Sequence, residues 1–306
     1  MLTIFQPKWV LAEAENMAIV VTGTIINASA SGKTLIPSTP STPDEKRLHP
    51  PDVQRILDRG QLVVAMYQED TPPFYFKNKS GSMDGIDVHL ITGFATQLGV
   101  TVRFDRSASS FEKVVDLVAT HQADLAISKL GMTFSRAMRV RYSKPYITLH
   151  QALLINRLVL AQHADGRERA EVMRNLDGKL GVIAKSSYVD NAKARFKKAT
   201  VVGFDSWEKV VDATARGEVM AAYRDEVEIK KIILDRPGTA LQFLMVVLTD
   251  ANDPKAIITP WESPNLLALV DFFLNTLDLN LTADRILHHY DDVIQEIESK
   301  IRQGVR

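Results

Sequence analysis

One six-residue pattern occurs twice in this chain, and it constrains the unit from which the chain can fold. Phe111-Glu-Lys-Val-Val-Asp116 and Trp207-Glu-Lys-Val-Val-Asp212 stand 96 positions apart. Before each copy lies an apolar stretch ending in Phe-Asp, at Phe104-Asp105 and Phe204-Asp205. After each comes a short apolar run, Ala123-Asp-Leu-Ala-Ile127 and Val219-Met-Ala-Ala-Tyr223. Each copy reads as an aromatic anchor, an amphipathic helix and a short buried strand. A strand–helix–strand unit written twice predicts two similar lobes, and two lobes enclose a cleft.

The 306 residues, 45% of them hydrophobic, can supply a core to both lobes. Lys plus Arg and Asp plus Glu are 37 each, so the formal charge is zero. The basic surplus of a nucleic-acid binder is therefore missing, and nothing draws the chain to an anionic membrane. The absence of cysteine removes disulfides, thiolate metal sites and a cysteine nucleophile. No apolar run reaches the length of a transmembrane helix. Residues 17–30 resemble a short signal core ending in Ala28-Ser29-Ala30, behind a segment that carries Lys8 but also Glu13 and Glu15. A degenerate export signal and an unstructured leader both fit. Five prolines and many Ser and Thr over residues 31–51 have the composition of a linker. The expected organisation is a leader and linker over 1–51, a first lobe from 52–150 and 250–306, and a second lobe from 151–249.

Along the folded part, Asp52 is a candidate N-cap for a helix over 53–59 closed by Gly60, and residues 61–66 read as a buried strand. A helix over 87–98 and strands over 100–104 and 123–127 flank the first copy of the repeat. An extended crossing is expected over 146–156. The second lobe should hold strands at 179–184, 200–204 and 219–223, with helices at 188–196, 207–216 and 225–234. Residues 241–249 lead back, and helices over 264–277 and 282–301 finish the chain. Strands alternating with helices predict an α/β fold, each lobe a mostly parallel sheet flanked by helices. Ligands of open parallel sheets sit beyond the carboxyl ends of the strands. That nominates the loops after Ile127 and Tyr223, which begin Ser128-Lys129 and Arg224-Asp225.

The order Ala123-Asp124, Arg136 and Tyr142-Ser-Lys-Pro-Tyr146, supported by Pro72-Pro-Phe74, Gly85-Ile-Asp87-Val and Asp225-Glu226, resembles the type 2 periplasmic-binding-protein fold, specifically the family-3 solute-binding proteins of amino-acid ABC transporters. The resemblance runs from about Asp52 to Tyr290. It implies a hinged two-lobe receptor outside the cytoplasm that closes on an α-amino acid and meets an ABC permease, with no cofactor and no membrane contact beyond that permease. It places a carboxylate-clamping arginine at Arg136, a lobe-two hydroxyl loop at Ser186 and Ser187, and an ammonium acceptor at Asp225. Ring contacts fall at Phe111 and near Phe74, a specificity position near Gln68, and loop contacts at Ser128, Lys129 and Gly131.

Elementary chemistry supports several of these roles and offers a plain alternative to each. A guanidinium fork near the start of a short helix suits a carboxylate, although a solvated helix arginine has the same sequence. Asp225 can cap a helix, accept from an ammonium, or both. Ser186 and Ser187 are caps or ligand donors. Trp207 is assigned to core packing, while Phe111, behind the polar Ser109-Ser110, is assigned to the cleft. Lys129 and Lys185 replace small residues, Gly131 replaces a hydroxyl residue, and Gln68 is neutral where a basic ligand would want an acid. A polar or acidic ligand is therefore expected, met by Lys129 or Lys185.

His288-His289 are adjacent and do not share a helical face, which argues against a zinc pair. Gly32-Lys33-Thr34 lacks the first glycine and the helix of a phosphate loop. Two other functions stay open on the same scaffold. One is a cyclohexadienyl-dehydratase-like enzyme using Glu226 or Glu228 as an acid. The other is a sensor domain whose last helix pairs with a partner through Val293, Ile294, Ile297 and Ile301.

Overall fold

The computed structural model describes residues 49–304. The expected leader, the linker up to residue 48 and Gly32-Lys33-Thr34 lie outside them. The described chain opens with α1 (Pro51–Arg59), ended by Gly60 at φ 65°. That left-handed conformation costs glycine little. Asp52 is not the N-cap of this helix; Pro50 is. The Asp52 carboxylate instead accepts from the backbone N–H groups of Asn265 and Leu266, both at 3.0 Å, and so caps a helix more than two hundred residues away.

The first lobe continues with β1 (Gln61–Tyr67), a small hairpin of β2 (Phe76–Lys77) and β3 (Met83–Asp84), α2 (Ile86–Gln97), β4 (Thr101–Ala108) and α3 (Phe111–Ala119). Then come β5 (Leu125–Ala126), α4 (Phe134–Ala137) and β6 (Val140–Tyr142). Ser110 caps α3 through a bond from Lys113 N, and Thr133 caps α4 through one from Arg136 N. Leu62, Val64, Ile91, Val114, Val118 and Leu125 are buried between the sheet and its helices. Each such side chain contributes about 1.5–3 kcal/mol by leaving water.

The chain crosses on β7 (Ile147–Asn156) and continues through α5 (Arg157–Ala164), α6 (Arg169–Arg174), β8 (Lys179–Ile183), α7 (Ser187–Arg195) and β9 (Thr200–Phe204). The second copy of the repeat forms α8 (Trp207–Ala215) and β10 (Ala221–Asp225), and α9 (Glu226–Asp235) follows. A 3-10 turn over Pro237–Leu241 leads into β11 (Phe243–Lys255), which returns towards the first lobe. β11 extends six residues past the expected end at 249, because its second half pairs with the start of β7.

With β12 (Ile258–Pro260), the first sheet has the order β4-β1-β5-β12-β6, and the second has β11-β7-β10-β8-β9. In the first sheet only β12 runs against the others, and in the second only β7 does. The mostly parallel, two-lobed α/β arrangement is thus present. β7 and β11 pair along their whole length, with one register break between Leu248 and Asn252 opposite Gln151 and His150.

Helices α10 (Pro264–Leu277), α11 (Ala283–His288) and α12 (Tyr290–Gly304) close the described chain. The continuous helix expected over 282–301 is broken at His289, whose φ of −133° is not helical. The stripe on α12 is not free for a partner. Val293 and Ile297 are buried in the core, Ile294 and Ile301 pack against it, and Ile301 lies against Gly93 of α2. Among the described residues no helix is long and apolar enough to cross a membrane.

Candidate functional site

The loop after β5 carries Ser128, Lys129 and Gly131. Ser128 is fully buried and its hydroxyl accepts from Tyr67 N at 3.0 Å, which ties the loop to β1. Lys129 adopts φ 50°, a conformation costing a non-glycine residue roughly 1–2 kcal/mol. The Asp87 carboxylate holds it there, accepting from Lys129 N at 2.8 Å. Burial pushes the Asp87 carboxyl up to about 7. Gly131 follows, and its carbonyl accepts from Arg136 Nη1 at 3.0 Å.

Arg136 is only 2% exposed. Its Nε donates to Glu112 Oε1 at 2.8 Å, and Glu112 comes from the first turn of α3. Nη2 lies 2.8 Å from the same oxygen but makes no hydrogen bond among the described residues. The arginine is therefore a buried guanidinium pinned by Glu112 and by the Gly131 carbonyl rather than a solvated helix side chain.

From the second lobe, β10 ends in Arg224-Asp225, and both are buried, as are Glu226 and Glu228 of α9. Asp225 caps α9 through Oδ1, which accepts from Glu228 N at 3.3 Å. The same oxygen lies 2.9 Å from Lys129 Nζ, and Glu228 Oε1 accepts from that ammonium at 2.8 Å. The lysine ammonium also sits 4.6 Å from the centre of the Phe74 ring, in cation–π contact. Burial alone would raise the Asp225 carboxyl; Lys129, Lys255 and Arg224 outweigh it and hold the group well below the usual carboxylate range. Glu228 is also held low, against burial, by Arg224, Lys129 and Lys231.

A second buried cluster adjoins this one. The Tyr188 hydroxyl, from α7, lies 2.9 Å from Asp225 Oδ2 and 2.7 Å from Asp253 Oδ2, and accepts from Lys255 Nζ at 3.0 Å. Lys255 pairs with Asp253 at 2.6 Å. Burial pulls the Lys255 ammonium down, and Asp253 and Asp225 oppose that pull. Gly131 closes the chain of contacts across the lobes. A Cβ placed on it would stand 2.5 Å from Ser187 Oγ and 3.5 Å from Asp253 Oδ1. Four cations (Lys129, Arg136, Arg224, Lys255) thus meet four anions (Glu112, Asp225, Glu228, Asp253).

Of the residues nominated by the sequence, Arg136, Gly131, Ser187, Asp225, Lys129 and Phe74 belong to one contiguous set of contacts. Ser186 is buried, but its hydroxyl donates to Ile183 O at 2.6 Å. Phe111 stacks on Tyr67 with ring centres 4.7 Å apart. Gln68 is exposed, and its backbone alone is engaged, with Ala108 and Arg106. Trp207, assigned to the core, packs there in part but also faces Arg224 at 5.0 Å. Glu226 and Glu228, the candidate acids, are buried, and both are held ionised by cations, so neither is a proton donor near neutral pH. Lys129 meets the chain's own carboxylates rather than standing free for a ligand.

Sequence reasoning missed Tyr188, Asp253 and Lys255. Asp253 and Lys255 stand two apart, so one face of a strand carries both, but the strand expected from the apolar run stops at 249. Two cavities open between the lobes. One of about 490 Å³ is lined by Ser110, Glu112, Arg139, Ala184, Lys185 and Asp205 among others. The other, of about 320 Å³, is lined by Tyr67, Thr71, Trp207, Arg224, Glu228 and Lys231 among others. No group of three or more His, Asp or Glu suited to a metal ion occurs among the described residues.

The chain is similar to the membrane-bound lytic murein transglycosylase F of Maricaulis maris, at 29% identity over 145 residues, 47% of this chain and 30% of that protein. It is 23% identical to the protein of that name from Pseudomonas putida strain F1 over 248 residues, 79% of this chain and 48% of that one. The chain thus matches half or less of the length of these curated relatives. Among solved structures it is similar to the ancestral amino-acid-binding protein AncCDT-1, a precursor of cyclohexadienyl dehydratase, with TM-score 0.60, 24% identity and coverage of 81% and 97% of the two chains. It is similar also to AbpA, an amino acid ABC transporter substrate-binding protein from Streptococcus pneumoniae bound to L-arginine, with TM-score 0.60, 22% identity and coverage of 83% and 99%. At these identities the structures speak for the fold. The profile of the bacterial extracellular solute-binding proteins, family 3, matches residues 62–292, and the chain belongs to that family.

Proposed function

We propose that this chain is an extracytoplasmic receptor that closes its lobes on a small α-amino-acid-type solute and presents it to an ABC permease. The observation that carries this reading is Arg136, a buried guanidinium held against Glu112, whose side chain lines the cavity of about 490 Å³. A solute carboxylate reaching it from the adjoining cavity gains a charge-assisted bond in a site of low dielectric. Phe111, Phe74, Ser128, Ser186 and Gln68 are kept as wall positions. The lobes are taken as 52–150 with 250–306, and 151–249, and the register break of β11 opposite His150 and Gln151 supports a hinge there.

A polar or acidic side chain fits better than a basic one. Around the cavity beside Arg136, Glu112, Asp116 and Asp205 already pair with Arg136, Arg139 and Lys209. Lys185 lines the same cavity and makes no ion pair among the described residues. A dehydratase needs an acid that keeps its proton, and Glu226 and Glu228 are both held ionised. The transglycosylase activity in the relatives' name is not carried over, because the shared part is half of those proteins or less.

Thermal or chemical denaturation against a panel of amino acids tests the reading. A ligand at a hundred times its Kd adds about 2.7 kcal/mol to stability. Replacing Arg136 by Lys keeps a charge but loses the planar fork, and should weaken binding roughly 10–100-fold. A panel without any stabilising amino acid, or Arg136→Lys binding as well as the wild type, removes the proposal.

A further inference from the structure

Asp225, Glu228 and the face of Phe74 form a seat for one ammonium, with two carboxylate oxygens at 2.9 and 2.8 Å and an aromatic ring at 4.6 Å. All three side chains are buried, and the group in the seat is the Nζ of the chain's own Lys129, whose side chain is only 3% exposed. The lysine comes from the loop after β5 in the first lobe, whereas both carboxylates come from the second. We propose that Lys129 is a built-in occupant of a primary-ammonium site: it ties the two lobes together, and a ligand ammonium enters only by displacing it.

Three features support this beyond simple ion pairing. The side chains of Lys129, Asp225 and Glu228 are only 3%, 1% and 6% exposed, so solvent screens these charges little. The Lys129 backbone is held in a left-handed conformation by the buried Asp87 carboxylate, which fixes where the side chain starts. The carboxylates are fixed from the other side, Asp225 as the cap of α9 and Glu228 by Arg224, whose Nη1 is 3.7 Å from Oε2. Both halves are thus set independently, and Lys129 is the only described side chain that joins these two carboxylates to the first lobe through an ion pair. The inference deepens the reading of this cleft as a ligand site by naming the group that competes with the ligand.

Chemical rescue tests it without knowledge of the natural ligand. Lys129→Ala should show a larger radius of gyration by small-angle X-ray scattering and a lower melting temperature than the wild type. n-Propylammonium chloride at millimolar concentration should restore both with a saturable dose response. Tetramethylammonium chloride at equal ionic strength should not, because it has no N–H to donate. The wild type should respond to neither. A variant as compact as the wild type, or equal effects of the two salts, overturns the proposal. Should Lys129→Ala not fold, acetic anhydride labelling of the wild type decides. Lys129 should react at least tenfold more slowly than Lys113, whose side chain is 64% exposed; equal rates overturn the seat. An amino-acid panel that fails with wild type and variant alike would sink the transport reading yet leave the rescue and labelling results standing.

Discussion

Replacing Asp87 by Asn should change how stability depends on pH. In the folded chain burial pushes this carboxyl up to about 7, against an ordinary aspartate value of 3.8. A group with a raised folded pKa contributes stability that is complete below its unfolded pKa and is lost as pH rises through the folded one. Each tenfold change in proton affinity is worth about 1.4 kcal/mol, so the rise from 3.8 to about 7 amounts to roughly 4 kcal/mol between pH 3 and pH 8. About 2–3 kcal/mol of that falls between pH 5 and pH 8. The amide introduced by Asp87→Asn would keep an oxygen to accept from Lys129 N and would not titrate. Urea unfolding at pH 5, 6, 7 and 8 measures the effect. Relative to the wild type, Asp87→Asn should gain about 2–3 kcal/mol from the lowest to the highest pH. Asp225 and Glu228, with depressed folded values, act in the opposite sense, losing their contribution only as pH falls below the ordinary carboxylate range. They therefore leave the window above pH 5 to Asp87. Parallel profiles for wild type and variant, within about 0.5 kcal/mol, would refute the burial argument.

Two further outcomes are expected. Asp124 accepts from Val63 N at 2.8 Å and pairs with Arg59 and, at 3.7 Å, Arg55. Asp124→Ala leaves a buried N–H unpaired and should lower unfolding free energy by about 2–4 kcal/mol, whereas Asp124→Asn keeps an acceptor and should lose about half as much or less; equal losses in denaturant titrations would show that the Val63 bond is not the cause. Gly131→Ala puts a methyl group 2.5 Å from Ser187 Oγ across the cleft. It should expand the chain in small-angle scattering, and Ser187→Ala should partly reverse the expansion, since it removes the nearest atom. A Gly131→Ala chain as compact as the wild type would refute the close approach of the lobes at this point.

Much of the architecture is written locally. Helix starts at α3 and α8 follow from Ser110 and Ser206, whose hydroxyls accept from Lys113 N and Lys209 N. The expected strand over 200–204 and helix over 264–277 coincide with β9 and α10. Such signals act over a few residues, so one sequence carries them in plain view. Expectation and structure part where distant contacts override local preference. Asp52 caps a helix at Asn265 and Leu266 instead of its own, and β11 runs on to Lys255 because β7 supplies partners for its backbone.

By itself, then, the sequence determined the repeated unit, the two lobes, the parallel sheets and the polar loops at their ends, because periodicity and capping are properties of neighbouring residues. The tertiary structure alone decided what those loops meet. Lys129 stands 99 positions from Glu228, and the sequence marks it as an unusual residue in a ligand loop without showing that its ammonium rests on Asp225 and Glu228. Arg136 is likewise legible as a guanidinium, but its burial and its bond to Glu112 appear only once α3 and α4 are packed together. The physical reason is range: a charge is neutralised by whichever opposite charge the packed chain brings within about 3–4 Å, and that proximity comes from the packing of helices within a lobe and the docking of the lobes rather than from spacing along the chain.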